Sequence, residues 1–388
     1  MELSKHMKKR CFCIISNLTL LMMTGLSYAQ TIVIHPNTII SFSKTYNNAT
    51  LDMSNGSFII KNNATLTINN SSIVGTLSPT NPTLFTVDGA GSLVMNTNQV
   101  NITATNIAQH PTTQSLQYVI QVAQGKVNLS NNTFTINQPY TAGFLITTSS
   151  IPTTGIQLVN NNVSNFHGVF YLISSDNALI KNNLLNTNSY GNIVVMGSNG
   201  TITGNTISFS GNDRLGNSMD IINSDTMNIS QNLLLTPTCH GVYVLNSNNV
   251  TIDSNQIFGG ITYAINLLSN PEFEAQDEYV HKLAASLPAR PLGATNIVVS
   301  NNFMSQNRYG IAATDITNLN VFNNVFIQRF SDAVSRQFWT NNSILLQNVT
   351  GLLWTNNIYK EAFTQDINGD NSQSMTIVPF PQTGGIVL

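Results

Sequence analysis

Gly200-Thr201-Ile202-Thr203-Gly204-Asn205-Thr206-Ile207, Met227-Asn228-Ile229-Ser230-Gln231-Asn232-Leu233-Leu234 and Val250-Thr251-Ile252-Asp253-Ser254-Asn255-Gln256-Ile257 are three copies of one phrase. In each, an aliphatic residue stands three before an asparagine and a second stands two after it. Copies recur every 22 to 27 residues through the middle of the chain. A unit this short cannot bury its own apolar face, so a near-constant period of this size means units stacked into a solenoid. Upstream, the phrase is read at Ile68 with Ser71 and Ile73, at Val100-Asn101-Ile102 leading to Thr105 and Ile107, and at Leu129, Asn132 and Phe134. It continues at Leu158 with Asn161 and Val163 and at Ile180 with Asn183 and Leu185. Downstream it returns at Val299 with Asn302, Val321 with Asn324, and Trp354 with Asn357.

The short aliphatic runs alternate with polar residues at period two, which is strand periodicity. A coil length near 22 residues also suits a leucine-rich repeat, but the Leu-x-x-Leu-x-Leu signature is absent and β-branched residues dominate. The expected fold is therefore all-β: a parallel β-helix in which each strand bonds to its equivalent one coil away. Asparagine suits the repeated column for two reasons. It tolerates left-handed backbone at a turn, and its side-chain amide can bond to the asparagines above and below. A second landmark is a strand start at Gly168-Val169-Phe170-Tyr171, Gly191-Asn192-Ile193-Val194, Ser218-Met219-Asp220-Ile221, Gly241-Val242-Tyr243-Val244 and Gly310-Ile311-Ala312-Ala313.

Domain organisation follows. Residues 1–29 have the three parts of a secretory signal peptide: Lys5, Lys8, Lys9 and Arg10, an apolar run over 11–26, and Ser27-Tyr28-Ala29 as a small-x-small cleavage site. The apolar run is short for a bilayer span, so no stable membrane span is expected once it is removed. The β-helix is assigned to 30–359, with a less regular N-terminal part and cap over 30–125. The step from Asn255 to Asn302 is 47 residues, about two coils, and contains the most charged stretch of the chain. There Phe273, Val280, Leu283 and Leu287 share a helical face, which predicts a short helical loop insertion at about 270–292. Residues 360–388 form a less periodic tail suited to capping the open end of the helix.

Only 8% of residues are charged, and no Lys/Arg cluster follows residue 10. That excludes a nucleic-acid interface of the usual electrostatic kind. After signal removal Cys239 is the one cysteine left, so no internal disulfide can form. No cofactor is expected. The weak candidate is calcium at Asp366-Ile367-Asn368-Gly369-Asp370, but glycine is not sixth in that loop and Ile377 stands where a bidentate glutamate belongs.

On these residues the chain resembles the pectate-lyase-like superfamily of right-handed parallel β-helices. More narrowly, it resembles the branch of NosD-type proteins and of carbohydrate-binding proteins and sugar hydrolases. The Ile-x-x-Asn-x-Ile phrase carries the resemblance, over roughly residues 57–359. The resemblance implies the right hand, in agreement with the rule for parallel crossovers. It also implies a secreted or periplasmic protein with a polysaccharide partner. The activities it suggests are polysaccharide lyase, glycoside hydrolase and uronate epimerase. A non-catalytic polysaccharide-binding protein and a structural surface protein are the alternatives.

The coil alignment picks one candidate site. Asp220 takes the same outward position as Ile193 one coil before and Tyr243 one coil after. Asp213 and Arg214 lie in the adjacent long turn, and His240 precedes the next strand. These four are the candidate catalytic patch: an acid/base pair, with a cation for a sugar carboxylate. His167, Tyr190, Tyr243 and Tyr309 occupy neighbouring positions and are the candidate substrate-binding groups. The alternative duty for the histidines and tyrosines is plain corner packing, with Asp213 and Arg214 a solvated pair.

Overall fold

The computed structural model describes residues 31–105, 117–137, 142–147, 153–187, 192–209, 216–235, 239–260, 262–270, 290–307, 309–327, 344–360 and 375–377. Three long sheets run the length of the molecule, with 13, 12 and 13 strands, here called A, B and C. Successive strands fall to the three sheets in turn. Gly200–Thr203 lies in sheet C, Thr206–Phe209 in A, Met219–Ile222 in B, and Met227–Ser230 returns to C. Each coil contributes one strand to each sheet and pairs in parallel with the coil before and after. The described residues hold no helix.

The repeated phrase is the corner between sheets C and A. Its first aliphatic lies in the C strand, one before the end, and its second lies in the A strand, both pointing inside: Ile202 and Ile207 are buried. Ile202 is in register with Ile229, Ile229 with Ile252 and Ile252 with Val299. Like side chains therefore stack on like, and one continuous apolar core runs from Ile34 to Trp354.

The asparagine between the two aliphatics is the polar counterpart of that stack. Asn98, Asn132, Asn161, Asn183, Asn205, Asn232, Asn255, Asn302, Asn324 and Asn357 form one column, each no more than 3% exposed. Asn205 shows the unit. Its Nδ2 donates to Asn232 Oδ1 at 2.9 Å and to the Ile180 carbonyl at 3.0 Å. Its Oδ1 accepts from both the backbone N and the Nδ2 of Asn183, each at 2.9 Å. Both amide protons and both lone pairs are thus used, so burial leaves nothing unpaired. Ser71 begins the column: its N donates to Asn98 Oδ1 at 2.9 Å and its Oγ accepts from Ala49 N at 3.1 Å.

The structure divides the two duties that one asparagine was expected to combine. The left-handed residue is the one before the ladder residue: Asn131, Asn160, Asn182, Gly204, Gln231, Ser254, Asn301, Asn323 and Asn356 all have φ between 52° and 68°. The ladder asparagines themselves do not. The left-handed position faces solvent and needs only steric tolerance, whereas the next position needs a side chain with two donors and two acceptors.

Two readings of the repeat are corrected. Val100-Asn101-Ile102 does not lead to a rung at Thr105; it lies in the A strand Gln99–Ala104, and the rung of that coil is Asn98, three after Met95. The 47 residues from Asn255 to Asn302 are one coil rather than two, since Asn255 Nδ2 donates directly to Asn302 Oδ1 at 3.0 Å. The extra length lies between the B strand Tyr263–Leu268 and the C strand Ala294–Ser300. The expected helix at about 270–292 falls largely outside the described residues, as do the signal peptide and the Asp366–Asp370 turn.

A second column, at the corner from B to C, is made of serine. Ser175 N donates to Ser198 Oγ at 2.8 Å, Ser198 N to Ser224 Oγ at 3.2 Å and Ser224 N to Ser247 Oγ at 3.0 Å. From Ser175 to Ser247 the two columns together pin two of the three corners of each coil.

The outer face of sheet C is polar. There Asp253 accepts from Ser300 at 2.6 Å, Asn301 at 2.7 Å and Ser254 at 2.8 Å. Partial burial pushes its carboxyl up, but the three hydrogen bonds outweigh this and hold it below the usual 3.8. A carboxylate with a depressed folded-state value stabilises the fold above the unfolded value and loses that effect as pH falls through the folded one. The outer face of sheet B is different. Tyr171, Ile173, Val194, Met196, Ile222, Tyr243, Leu245 and Leu268 point away from the main core yet are buried in a second apolar cluster.

Two outcomes follow from these columns. Asn183→Ala removes four hydrogen bonds and strands their partners, and is expected to destabilise by about 3 kcal/mol or more, while Asn182→Gly at the left-handed site changes stability by about 0.5 kcal/mol or less. Urea denaturation of the two proteins checks this. The melting temperature of Asp253→Asn is expected to lie below that of the parent at neutral pH, and the gap to close as pH falls below the ordinary 3.8 of Asp253.

Candidate functional site

Four consecutive B strands carry the site: Ile193–Met196, Met219–Ile222, Val242–Leu245 and Tyr263–Leu268. Inward positions alternate with outward ones, and the outward column reads Val194, Asp220, Tyr243, Asn266 in register. Asp220 therefore faces Val194, one place along from the Ile193 that the sequence alignment put there. The slip comes from matching Gly191 to Ser218; the structure pairs Ile193 with Met219, which brings Asn192 level with Ser218. Ser218, Gly241 and Gly310 do share one register position, as their spacing implied.

At Gly241 the glycine is required. A Cβ there would sit 2.5 Å from the Ala264 carbonyl oxygen and 2.6 Å from Ile257 Cγ2. This close approach draws His240 against the next coil. Its ring stacks between two tyrosines: Tyr243 at 5.6 Å and 13° between planes, and Tyr263 at 5.4 Å and 26°. His240 Nδ1 lies 2.7 Å from Thr262 Oγ1, and its Nε2 lies 3.5 Å from Asn266 Nδ2. Asp220 is tied to this group through Asn217. The Asn217 amide donates to Asp220 Oδ1 at 2.6 Å, and its carbonyl oxygen accepts from His240 N at 3.0 Å.

The structure thus brings together Asp220, His240 and Tyr243 of the sequence-derived set. Asp213, Arg214 and Tyr190 lie outside the described residues. Tyr309 has its backbone in register with Tyr263. His167 is buried just before the B strand Phe170–Ile173, three coils from His240, roughly 14 Å at the usual strand spacing. Asp220 and His240 are themselves 2% and 1% exposed. Sequence reading missed Asn217, Thr262, Tyr263 and Asn266. One signal was available: Tyr263 and Asn266 follow His240 and Tyr243 by 23 residues each, one coil length.

Cys239 is buried, with Sγ 3.5 Å from Thr262 Oγ1. Further along, Asp315 has left-handed backbone and accepts from Asn348 Nδ2 at 2.9 Å, which is the duty of a turn residue. Among the described residues, no group of three His, Cys, Asp or Glu is placed to hold a metal ion. Nor is any described helix long and apolar enough to cross a membrane.

Residues 142–287 match the family model described as the right-handed β-helix region, and all four site strands lie within that stretch. The fold is a parallel β-helix, and the matched stretch is of the right-handed kind that this model describes. No curated protein matches the chain by sequence. Among solved structures, this β-helix is similar to the periplasmic alginate epimerase AlgG at 13% identity and a TM-score of 0.35, over 81% of this chain and 77% of that one. It is similar to the alginate lyase AlyF-OU02 at 12% and 0.35, over 93% and 86%. It is also similar to the Dettilon tailspike protein at 11% and 0.34, over 85% and 60%. These likenesses concern the fold of the β-helix.

Gly241→Ala is expected to force the Val242–Leu245 strand away from its neighbour, because the atom it meets is backbone. A loss of about 1–3 kcal/mol, read by urea denaturation, is the expected size for overpacking a tight contact.

Proposed function

We propose that this β-helix is a secreted or periplasmic protein that acts on polysaccharide at the outer face of sheet B, with Asp220 and His240 as its acid/base pair. The observation that carries the reading is a buried carboxylate held beside the His240 stack in a chain where charge is rare. The same outward position takes Val194 one coil before and Tyr243 one coil after, so packing here does not require a carboxylate. Burying one is unfavourable unless it is paired. Proton transfer is a use for such a group that packing does not supply. Tyr263, which is only partly buried, has a ring of the kind a sugar stacks on. The N-terminal signal pattern supports export.

The cluster pairs one carboxylate with one imidazole. That suits abstraction of a proton from a sugar carbon, as in a lyase or uronate epimerase, better than hydrolysis, which needs two carboxylates about 5–9.5 Å apart. Arg214, six residues before Asp220 in the sequence, is the candidate cation for a uronate carboxylate in this reading. His240 is buried, so a polymer reaches it only when this face opens. A second reading, a non-catalytic polysaccharide-binding protein, is favoured by a different observation: Asn217, Thr262 and Asn266 already engage the polar groups of Asp220 and His240.

A glycan array followed by product analysis on each polysaccharide bound separates the two. The expected result is binding to an acidic polysaccharide and formation of unsaturated or C5-inverted residues. Asp220→Asn and His240→Gln should then lower turnover by on the order of 100-fold or more in protein that circular dichroism shows to be folded. Binding without products assigns the second reading, and failure to bind any polysaccharide overturns both.

A further inference from the structure

We propose that Thr262 is a positioning residue that fixes the tautomer of His240, keeping Nδ1 protonated and making Nε2 the proton-accepting atom of the ring. The argument is a count of hydrogens. Thr262 Oγ1 carries one proton and lies 2.7 Å from the Cys239 carbonyl oxygen. A carbonyl can only accept, so the hydroxyl proton belongs to that bond. The same Oγ1 lies 2.7 Å from His240 Nδ1. With the hydroxyl proton committed, the hydrogen between these two atoms is the one on Nδ1. The opposite arrangement turns the hydroxyl proton to Nδ1 and leaves two oxygens 2.7 Å apart with no hydrogen between them.

The other side of the ring agrees. Asn266 presents its Nδ2 to His240 Nε2 at 3.5 Å. An amide nitrogen only donates, so it suits an Nε2 that accepts and opposes one that carries a proton. The rings of Tyr243 and Tyr263, both near-parallel to the imidazole, oppose its turning over. The device spans two coils. Cys239 and His240 lie on one, Thr262, Tyr263 and Asn266 on the next, and the Gly241 contact keeps the coils close enough for the 2.7 Å bonds. A histidine with one fixed nitrogen and one basic nitrogen is the form that general-base chemistry uses. The functional consequence rests on the role proposed for His240 above; the tautomer itself does not.

The test uses the full chain with its six histidines labelled with nitrogen-15. Long-range proton–nitrogen correlation reads the protonation of each ring nitrogen, and the His240 signals are those lost in His240→Gln. The expected spectrum at neutral pH shows Nδ1 protonated and Nε2 bare. Thr262→Val should move the proton to Nε2 in at least half the molecules, and Thr262→Ser should restore the parent pattern. If circular dichroism shows Thr262→Val unfolded, the parent and serine spectra decide. A parent spectrum with Nε2 protonated, or with both nitrogens protonated, overturns the proposal. So does a folded Thr262→Val protein with Nδ1 still protonated. On any polysaccharide that is turned over, Thr262→Val should lower kcat about tenfold or more with KM within about twofold, and serine should restore it. Absence of turnover on every polysaccharide overturns the catalytic reading while the spectrum still decides the tautomer.

Discussion

Everything in this molecule depends on satisfying a buried polar corner. A β-helix turns three times per coil, and at the turn from sheet C to sheet A the backbone amide of the rung residue lies inside the molecule. Water cannot reach it, and an unpaired buried amide is unfavourable by a few kcal/mol. The asparagine column meets that demand with the rung of the next coil: each Oδ1 caps a backbone N–H and a side-chain N–H of the coil before it. The apolar core could tolerate many exchanges of Ile, Val and Leu. The rung has few substitutes, because serine and threonine offer a single donor. At the start of the column, where no rung lies below, Ser71 suffices.

The same stacking explains the contrast between the outer faces. Sheet C shows solvent Thr, Ser and Asn, and its one well-bonded carboxylate, Asp253, sits among hydroxyl and amide donors. Sheet B shows rings and aliphatics that are buried, with Asp220 and His240 set among them. A face that is apolar on both sides can hold a polar group only where partners are built for it. Asn217, Thr262 and Asn266 are those partners, and each bonds to His240 from a neighbouring coil.

That division marks what was legible in the sequence. The Asn phrase repeats a local pattern, so the solenoid, its strand positions and most rungs could be read directly. Errors arose where local likeness competed with register. Val100-Asn101-Ile102 has the look of the phrase but lies on the far side of its own rung. Gly191 resembles the other strand-opening glycines, and matching it to Ser218 shifted Asp220 by one place. The length from Asn255 to Asn302 suggested two coils because distance along a chain cannot tell a coil from an excursion. Asp220, His240 and Tyr243 were visible as uncommon residues at fixed spacing. Thr262 and Asn217 were not, since a hydroxyl or an amide in a chain rich in both carries no mark until its partner across the coil is known. The burial of sheet B's outer face was likewise beyond reach, because the strands alone do not say what lies against them.

The asparagine column has one further property. Every rung donates its amide to the rung that follows and accepts from the rung that precedes, from Asn98 to Asn357 without reversal. The column is therefore vectorial, with aligned dipoles that strengthen one another in a water-free interior. Its two ends are chemically unlike: one offers carbonyl oxygens to whatever lies before it, and the other offers amide hydrogens to whatever comes after. A coil joining the stack thus meets a template with a sense of direction, and an inverted coil would bring donor against donor. The polarity of the column gives the array a built-in rule for which way each new turn must face.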